Sequence, residues 1–328
     1  MTPRSQLLER RPARRSIEAA LAAAPLFDGL DDVELAEVAR LAEPFDLGAG
    51  QLLFRQGERA DQLVVLEAGR LEIVARLPGD REILLSRVTG GDVLGELSLV
   101  LGGTRTASAR AVETTRGLLI SHDAFSRLRM SLRPAGAAVM RGLCRLVCAR
   151  LRARCEALGG ATVRDAEVEA RGSAHALETA DLLHMARLDF FARFGSLLPE
   201  LASRAVRLDV ERGTVLVPAG TRPDRFLVTL RGAVEATIEL GATRQRLRLA
   251  GPGRALAYLG ILDAAPSPVT FRARERAHLF ALSRADFAAL INGSDQVARM
   301  FVDAVTEDLA RCLTEAERRH ATTVTFRR

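Results

Sequence analysis

The sequence predicts a mainly β chain with flanking helices, an α+β protein built as two tandem rolls of short antiparallel strands. Two observations carry most of that reading. From Phe45 to Ser121, turn signals such as Gly48-Ala49-Gly50, Gly57, Gly69, Pro78-Gly79-Asp80 and Gly90-Gly91 recur. They fall at intervals of roughly 7 to 12 residues, with β-branched and leucine-rich alternation between them, as in an antiparallel roll or barrel. The same punctuation then returns. Gly50, Gly57 and Gly69 fall on Gly213, Gly220 and Gly232 at one offset, and Gly91, Ser121, Phe125 and Leu128 fall on Gly253, Ser283, Phe287 and Leu290 at an offset shorter by one residue. Recurrence of turn glycines and core positions in order means a duplicated roll, with one residue lost in the hairpin near Gly241. Around the first roll the pattern changes to helical spacing, which supplies the flanking helices.

Composition bounds the rest. A chain of 328 residues, 48% hydrophobic, is long enough for two domains with a core each. All 47 basic residues are arginine, against 41 acidic ones, for a net charge of +6. That reads as the mark of a GC-rich genome rather than of a nucleic-acid partner, and it would favour DNA binding only if the arginines clustered on one readable helix. Four cysteines, Cys144, Cys148, Cys155 and Cys312, make no disulfide framework, which points to a reducing cytoplasm. No apolar run approaches the roughly 18 to 20 residues that span a bilayer. Arg10 to Arg15 followed by Ile17 to Phe27 has the outline of a signal peptide, but Glu18 interrupts its apolar part and a helix ahead of the first domain is the better use.

Taken in order, residues 1–14 read as a flexible basic arm and residues 15–158 as the first domain. Asp31 is placed to cap a helix whose apolar face is Leu35, Val38, Ala39 and Leu41. After the roll come a short helix, His122 to Met130, and a long one begun by Pro134 and ending near Leu158. Met140, Leu143, Val147, Leu151 and Leu158 mark its apolar stripe. Cys144, Cys148 and Cys155 share nearly the same face. With no histidine beside them they read as small buried residues rather than as a metal or redox site, so no metal and no cofactor is expected. Gly159-Gly160 stops the helix, and residues 159–181, with Arg164, Asp165, Glu167, Glu169 and Arg171, read as a polar linker. The second roll then occupies residues 182–320, leaving 321–328 as a tail.

The stretch with chemistry is Gly95-Glu96-Leu97-Ser98-Leu99-Val100-Leu101-Gly102-Gly103-Thr104-Arg105-Thr106-Ala107-Ser108. It reads as a short helix entered through a glycine, a tight loop and a strand. Gly95 lets backbone approach a ligand, Glu96 offers a carboxylate to paired hydroxyls, Arg105 supplies a planar fork matched to two phosphate oxygens, and Thr106 adds a hydroxyl. The string resembles the phosphate-binding cassette of the cyclic nucleotide-binding domain family, with Gly50 to Glu58 and Leu66 to Leu71 fitting the same family. The resemblance implies two double-stranded β-helix, or jelly-roll, domains. It also implies that Glu96 holds a ribose 2′-hydroxyl and Arg105 the equatorial phosphate oxygens. The backbone of Gly95, Leu97 and Ala107 would hold the rest of the phosphate, with Ser98 inside the cassette. In the family a hydroxyl at the place of Thr106 is often linked to tolerance of a guanine ligand, so the ligand is read as cyclic AMP or cyclic GMP.

The repeat register places Gly95 on Ala257, Glu96 on Tyr258, Arg105 on Ser267 and Thr106 on Pro268. The second cassette keeps its apolar frame and loses its polar groups, so the second roll is expected not to bind a cyclic nucleotide and to serve as an interaction or structural module. Arg254 and Arg272 are the cations nearby in sequence, neither at the matching place.

These readings together predict a non-enzymatic sensor. Ligand binds the first roll, and helix 134–158 carries the signal to the second roll or to an unidentified protein effector; a homodimer through that helix is a further expectation. A catabolite-activator-type transcription regulator is the rival, although a linker and a roll stand where its helix-turn-helix belongs. A kinase regulatory subunit shares the tandem arrangement, yet Arg14-Arg15-Ser16-Ile17 lacks the spacer residue of the inhibitor site. No glycine-flanked nucleophile, HExxH, Walker motif or His/Cys cluster supports an enzyme.

Overall fold

The computed structural model describes residues 14–76, 81–131, 133–158, 166–168, 172–240 and 243–326. The chain divides into two compact units, residues 1–143 and 144–328. The arm 1–13, the turn at Pro78-Gly79-Asp80, the stop at Gly159-Gly160, most charged residues of the 159–181 segment, the hairpin at Gly241 and the last two residues lie outside the described ones.

The first unit opens with α1 (Arg14–Ala22) and α2 (Asp32–Ala39). Asp31 caps α2 as its sequence implies: its carboxylate accepts from the amides of Val33 and Glu34, and Glu34 accepts in return from the Asp31 amide. The roll follows as β1 (Ala42–Leu47), β2 (Leu52–Phe54), β3 (Gln62–Ala68), β4 (Arg70–Arg76), β5 (Glu82–Thr89) and β6 (Val93–Leu94). After α3 (Glu96–Leu101) come β7 (Ser108–Ala111) and β8 (Thr115–Ser121). Two antiparallel four-stranded sheets result, ordered β1-β8-β3-β6 and β2-β7-β4-β5. Phe45, Leu47, Val64, Leu66, Leu71, Ala109 and Ala111 form a core cluster between them. Then come α4 (His122–Met130) and α5 (Pro134–Leu158), and the division between the two units falls inside α5. The apolar stripe Met140, Leu143, Val147 and Leu151 is buried within the chain, as are Cys144, Cys148 and Cys155.

The segment read as a polar linker has more structure than its composition suggests. After β9 (Ala166–Val168) and β10 (Ser173–His175) come the short helices α6 (Thr179–Met185), α7 (Asp189–Ala192) and α8 (Leu198–Ala202). The second roll follows: β11 (Ala205–Val210), β12 (Val215–Val217), β13 (Thr221–Pro223), β14 (Arg225–Arg231), β15 (Val234–Leu240), β16 (Thr243–Ala250), β17 (Ala255–Leu256), α9 (Tyr258–Leu262), β18 (Thr270–Ala273) and β19 (Ala277–Ser283). It ends in α10 (Arg284–Asn292) and α11 (Gln296–Phe326), which runs straight through His320 into the residues read as a tail. β9 pairs in parallel with β13, and β10 extends the sheet at β11. Three exposed residues in β10 give no alternation to read; the strand is held by backbone pairing to β11 and by His175 Nε2 lying 3.8 Å from Asp209 Oδ2.

Sheet orders in the second roll, β11-β19-β14-β17 and β12-β18-β15-β16, repeat those of the first. Single hydrogen bonds repeat too. Leu66 N donates to Asp92 O at 2.9 Å, and its counterpart Thr229 N donates to Arg254 O at 3.0 Å. Gly69 and Gly232 share a positive φ, and a Cβ on either would sit 2.5 Å from a neighbouring atom. The second core is built differently, from interlocking rings of Phe190, Phe191, Phe226, Phe280, Phe287 and Phe301 at centroid distances of 5.0 to 6.2 Å.

Candidate functional site

In the first unit, β6 delivers the chain to Gly95, whose φ of 84° and ψ of 8° turn it into α3. Only a residue without Cβ fits. A Cβ there would lie 2.5 Å from Arg105 Nη1 and 2.6 Å from the carbonyl oxygen of Gln62. Glycine at this position therefore does two jobs: it adopts the left-handed turn and it lets the guanidinium close over the backbone.

Arg105 is buried to 6% exposure, on the loop between α3 and β7. Its backbone is pinned on both sides, the amide donating to Glu58 O at 2.8 Å and the carbonyl accepting from Gly57 N at 2.9 Å. Its guanidinium lies 4.1 Å from the centroid of the Phe54 ring, a cation–π contact contributing about 1 to 2 kcal/mol when desolvated. Nη2 donates to Gln62 O at 2.7 Å, and Nε is buried with no hydrogen-bond partner among the described residues. Burial lowers the Arg105 pKa from its ordinary value, against the opposing pull of Asp61, Glu58 and Glu96. Arg193, Arg222, Arg248 and Arg272 share with Arg105 a buried Nε outside any hydrogen bond among the described residues; what sets Arg105 apart is its place over Phe54 and the Gly95 backbone.

Glu96 is buried at the first position of α3, and its carboxylate acts on Arg105 through space. Ala107 is buried, Leu97 and Ser98 are half-buried, and Thr106 is exposed. Ser98 also accepts the amide of Gly102 through its backbone carbonyl, closing the short helix. Gly95, Glu96 and Arg105 thus come together, whereas the Thr106 side chain lies at the surface. The sequence reading missed Phe54 as the platform under the guanidinium and the Gln62 carbonyl as its acceptor. Phe54 stands inside the Gly50 to Glu58 string, so an aromatic at a strand end before the cassette was the available signal.

The second cassette keeps the backbone and discards the chemistry. Ala257 takes the same left-handed turn, φ 63° and ψ 5°, with its Cβ where Gly95 has none. Ser267 repeats the backbone bonds of Arg105, accepting from Gly220 N and donating to Thr221 O at 2.8 Å each, while its hydroxyl donates to Val269 O at 2.7 Å. Tyr258 is buried, its hydroxyl 2.7 Å from Cys312 Sγ and accepting from Arg248 Nη1 at 2.9 Å. Arg248 also bonds Asp308 of α11 at 3.3 Å, and Arg254 bonds the other Asp308 oxygen at 2.8 Å and Glu315 at 3.4 Å. Arg272 donates to Gly213 O. Both arginines near the cassette in sequence are therefore turned to protein acceptors, and Arg248, not singled out by register, is the cation beside Tyr258.

The profile of the family described as "Cyclic nucleotide-binding domain" matches residues 44–131 and again residues 207–294, more than half of the chain. The chain belongs to the cyclic nucleotide-binding domain family. Among curated relatives it is 33% identical over 105 residues to a CRP-like cAMP-activated global transcriptional regulator of Mycobacterium tuberculosis, covering 32% of this chain and 47% of that protein. It is 29% identical over 140 residues to an uncharacterized NTE family protein of Mycobacterium bovis, 42% of this chain and 23% of the relative. It is 31% identical over 134 residues to a cAMP-dependent protein kinase regulatory subunit of Mycosarcoma maydis, 39% of this chain and 25% of the relative. The chain thus spans less than half the length of each of these relatives. A solved structure of the regulatory domain of Toxoplasma gondii PKA with cAMP is similar over 88% of this chain and 95% of that one, at 18% identity and a TM-score of 0.36.

No group of three or more His, Cys, Asp or Glu suited to a metal occurs among the described residues. Burial pushes the Cys144 thiol up to about 12 and the Cys155 thiol up to about 11, so both are inert packing groups. No described helix is long and apolar enough to cross a membrane.

Proposed function

We propose that this chain is a non-enzymatic cyclic nucleotide sensor. The first roll binds cyclic AMP or cyclic GMP through Gly95, Glu96, Leu97, Ser98, Arg105, Thr106 and Ala107, and the second roll binds neither. The buried Arg105 guanidinium carries this reading. It is folded against the Gly95 backbone beside the Glu96 carboxylate, while the matching places in the second roll hold Tyr258 and Ser267. A cyclic phosphodiester would meet the Arg105 guanidinium, and the ribose hydroxyl would meet the Glu96 carboxylate. Thr106, exposed beside Arg105 in the chain, is the residue whose hydroxyl would favour a guanine; both nucleotides are carried forward as ligands.

Helix α5 carries the signal onward to the second roll or to a protein effector, and differential affinity for two arrangements of the helix converts binding into output. Because its apolar stripe is buried within the chain, a homodimer through residues 134–158 has to use the exposed positions of the helix. Free, buried cysteines fit a reducing, cytoplasmic setting. A second reading, a kinase regulatory-subunit-like protein with a kinase as effector, is favoured by the tandem rolls.

Titration calorimetry with both nucleotides tests the site. Hydrogen bonds to a charged group contribute about 1.5 to 3 kcal/mol, so Arg105→Leu is expected to weaken binding by about tenfold to a hundredfold or more. If neither nucleotide binds the unaltered chain, or if Arg105→Leu binds as well as the unaltered chain does, the assignment fails.

A further inference from the structure

The second cassette has lost its anion chemistry, but it is not bare. Arg152, in the C-terminal part of α5 that belongs to the second unit, lies against it with its side chain 16% exposed. Nε and Nη2 donate to the two carboxylate oxygens of Asp263, the second at 3.0 Å. Nη1 donates to Pro266 O at 2.9 Å, and Nη2 donates also to Leu259 O at 3.2 Å. Glu156, one turn along α5, lies 3.5 Å from Nη1. Burial lowers the Arg152 pKa, and the bond to Asp263 together with the charges of Asp263, Cys148 and Glu156 raises it above its ordinary value, so the cation is held by the groups around it.

These oxygens come from α9, from Asp263 at its C-terminus and from the loop after it; Leu259 O also accepts from Asp263 N at 3.4 Å, and Asp263 Oδ1 from Ala265 N at 3.1 Å. Two carboxylate and two carbonyl oxygens arranged around one planar fork accept a guanidinium and repel an anion. The polarity of the cassette has been inverted. In the first roll the loop offers a cation to a ligand; in the second it offers oxygens to a cation borne on the protein's own helix. The other end of α9 is tied as well, Tyr258 meeting Arg248 and Cys312, with Arg248 in turn on Asp308 of α11.

We propose that the second cassette is a guanidinium socket that latches α5 through Arg152, and that the latch passes the movement of α5 on nucleotide binding to residues 257–267 and, through Tyr258, to α11. The proposal rests on the reading that the first roll binds a cyclic nucleotide. Coupling of this kind is reciprocal: a latch that feels the nucleotide must, when broken, change nucleotide affinity by the same factor.

The test is calorimetry of the full chain with cyclic AMP and cyclic GMP, for the unaltered protein, Arg152→Ala, Arg152→Lys, Asp263→Asn and the Arg152→Ala/Asp263→Asn double variant. Arg152→Lys keeps the charge, loses the fork and spares the fold if removal of the side chain does not. Each single variant is expected to change the nucleotide Kd by about fivefold or more, all in one direction, and the double variant no more than the larger single. Hydrogen exchange at residues 257–267 is expected to respond to nucleotide in the unaltered chain and not in Arg152→Ala. Binding by the unaltered chain with the same Kd in every variant overturns the latch and leaves the first-roll reading intact. Absence of binding by the unaltered chain is a separate result that fails the first-roll reading, and the coupling with it.

Discussion

Gly95 and Ala257 occupy the same left-handed turn, and the difference between them is set by the residue each must face. Opposite Gly95 is the Arg105 guanidinium; opposite Ala257 the arginine has become serine, and a methyl group is tolerated there. The cost of introducing that methyl group at position 95 follows from the 2.5 and 2.6 Å approaches to Arg105 Nη1 and Gln62 O, since the carbonyl belongs to a sheet strand and cannot withdraw. Gly95→Ala is expected to lower stability by about 1 to 3 kcal/mol and to weaken nucleotide binding, read by denaturant unfolding and calorimetry. Unchanged values for both would mean that the guanidinium does not need this backbone. Residue identities in the cassette were legible in the sequence because the chemistry demands particular side chains: the glycine, the carboxylate and the arginine. The Gln62 carbonyl was not, since a backbone oxygen leaves no mark on the sequence, and Phe54 showed only as an aromatic at a strand end, without its partner.

At the scale of elements, the helix after each roll has a different task. In the second roll, α11 places Asp308 between Arg248 and Arg254, and the carboxylate, 5% exposed, is the counter-ion of both. Removing one member of a buried ion network leaves the remaining charges uncompensated, at a cost of about 3 to 5 kcal/mol. Asp308→Asn is therefore expected to destabilise the second roll by about that amount in urea unfolding and to speed hydrogen exchange along α11; a loss within about 0.5 kcal/mol would mean the network is a solvated one. The duplicated strands were legible because turn glycines and core positions keep their order. The polar segment before the second roll was not. β10 is a strand with three exposed side chains, and α6, although capped locally by Asp181 accepting from the Glu178 amide at 3.0 Å, is also tied to a residue distant in sequence, Asp181 accepting from Arg207 Nη1 at 3.0 Å. Long-range pairing of this sort has no local signature.

Across the whole molecule, alkaline behaviour follows from composition and burial together. The chain has no lysine and a single tyrosine, so the thiols dominate its titration above neutral pH. Burial pushes Cys144 and Cys312 up to about 12 and Cys155 up to about 11, from an ordinary value of 9.0. A folded state that keeps its protons longer than the unfolded chain is favoured fully below the ordinary value and loses that advantage as pH rises above it. Unfolding midpoints in urea are expected to hold steady up to about pH 9 and to fall beyond it, with the thiols resistant to alkylation while the chain is folded. A midpoint that rises above pH 9 would contradict the burial of these groups. Two rolls of one ancestry, one with an arginine and a carboxylate in its cassette and the other with a serine and a tyrosine, should differ in ligand count. Native mass spectrometry of the full chain with excess cyclic AMP or cyclic GMP reads that count directly. One nucleotide per chain, lost on Arg105→Leu, is the expected result; two per chain, or one that survives Arg105→Leu, would contradict it.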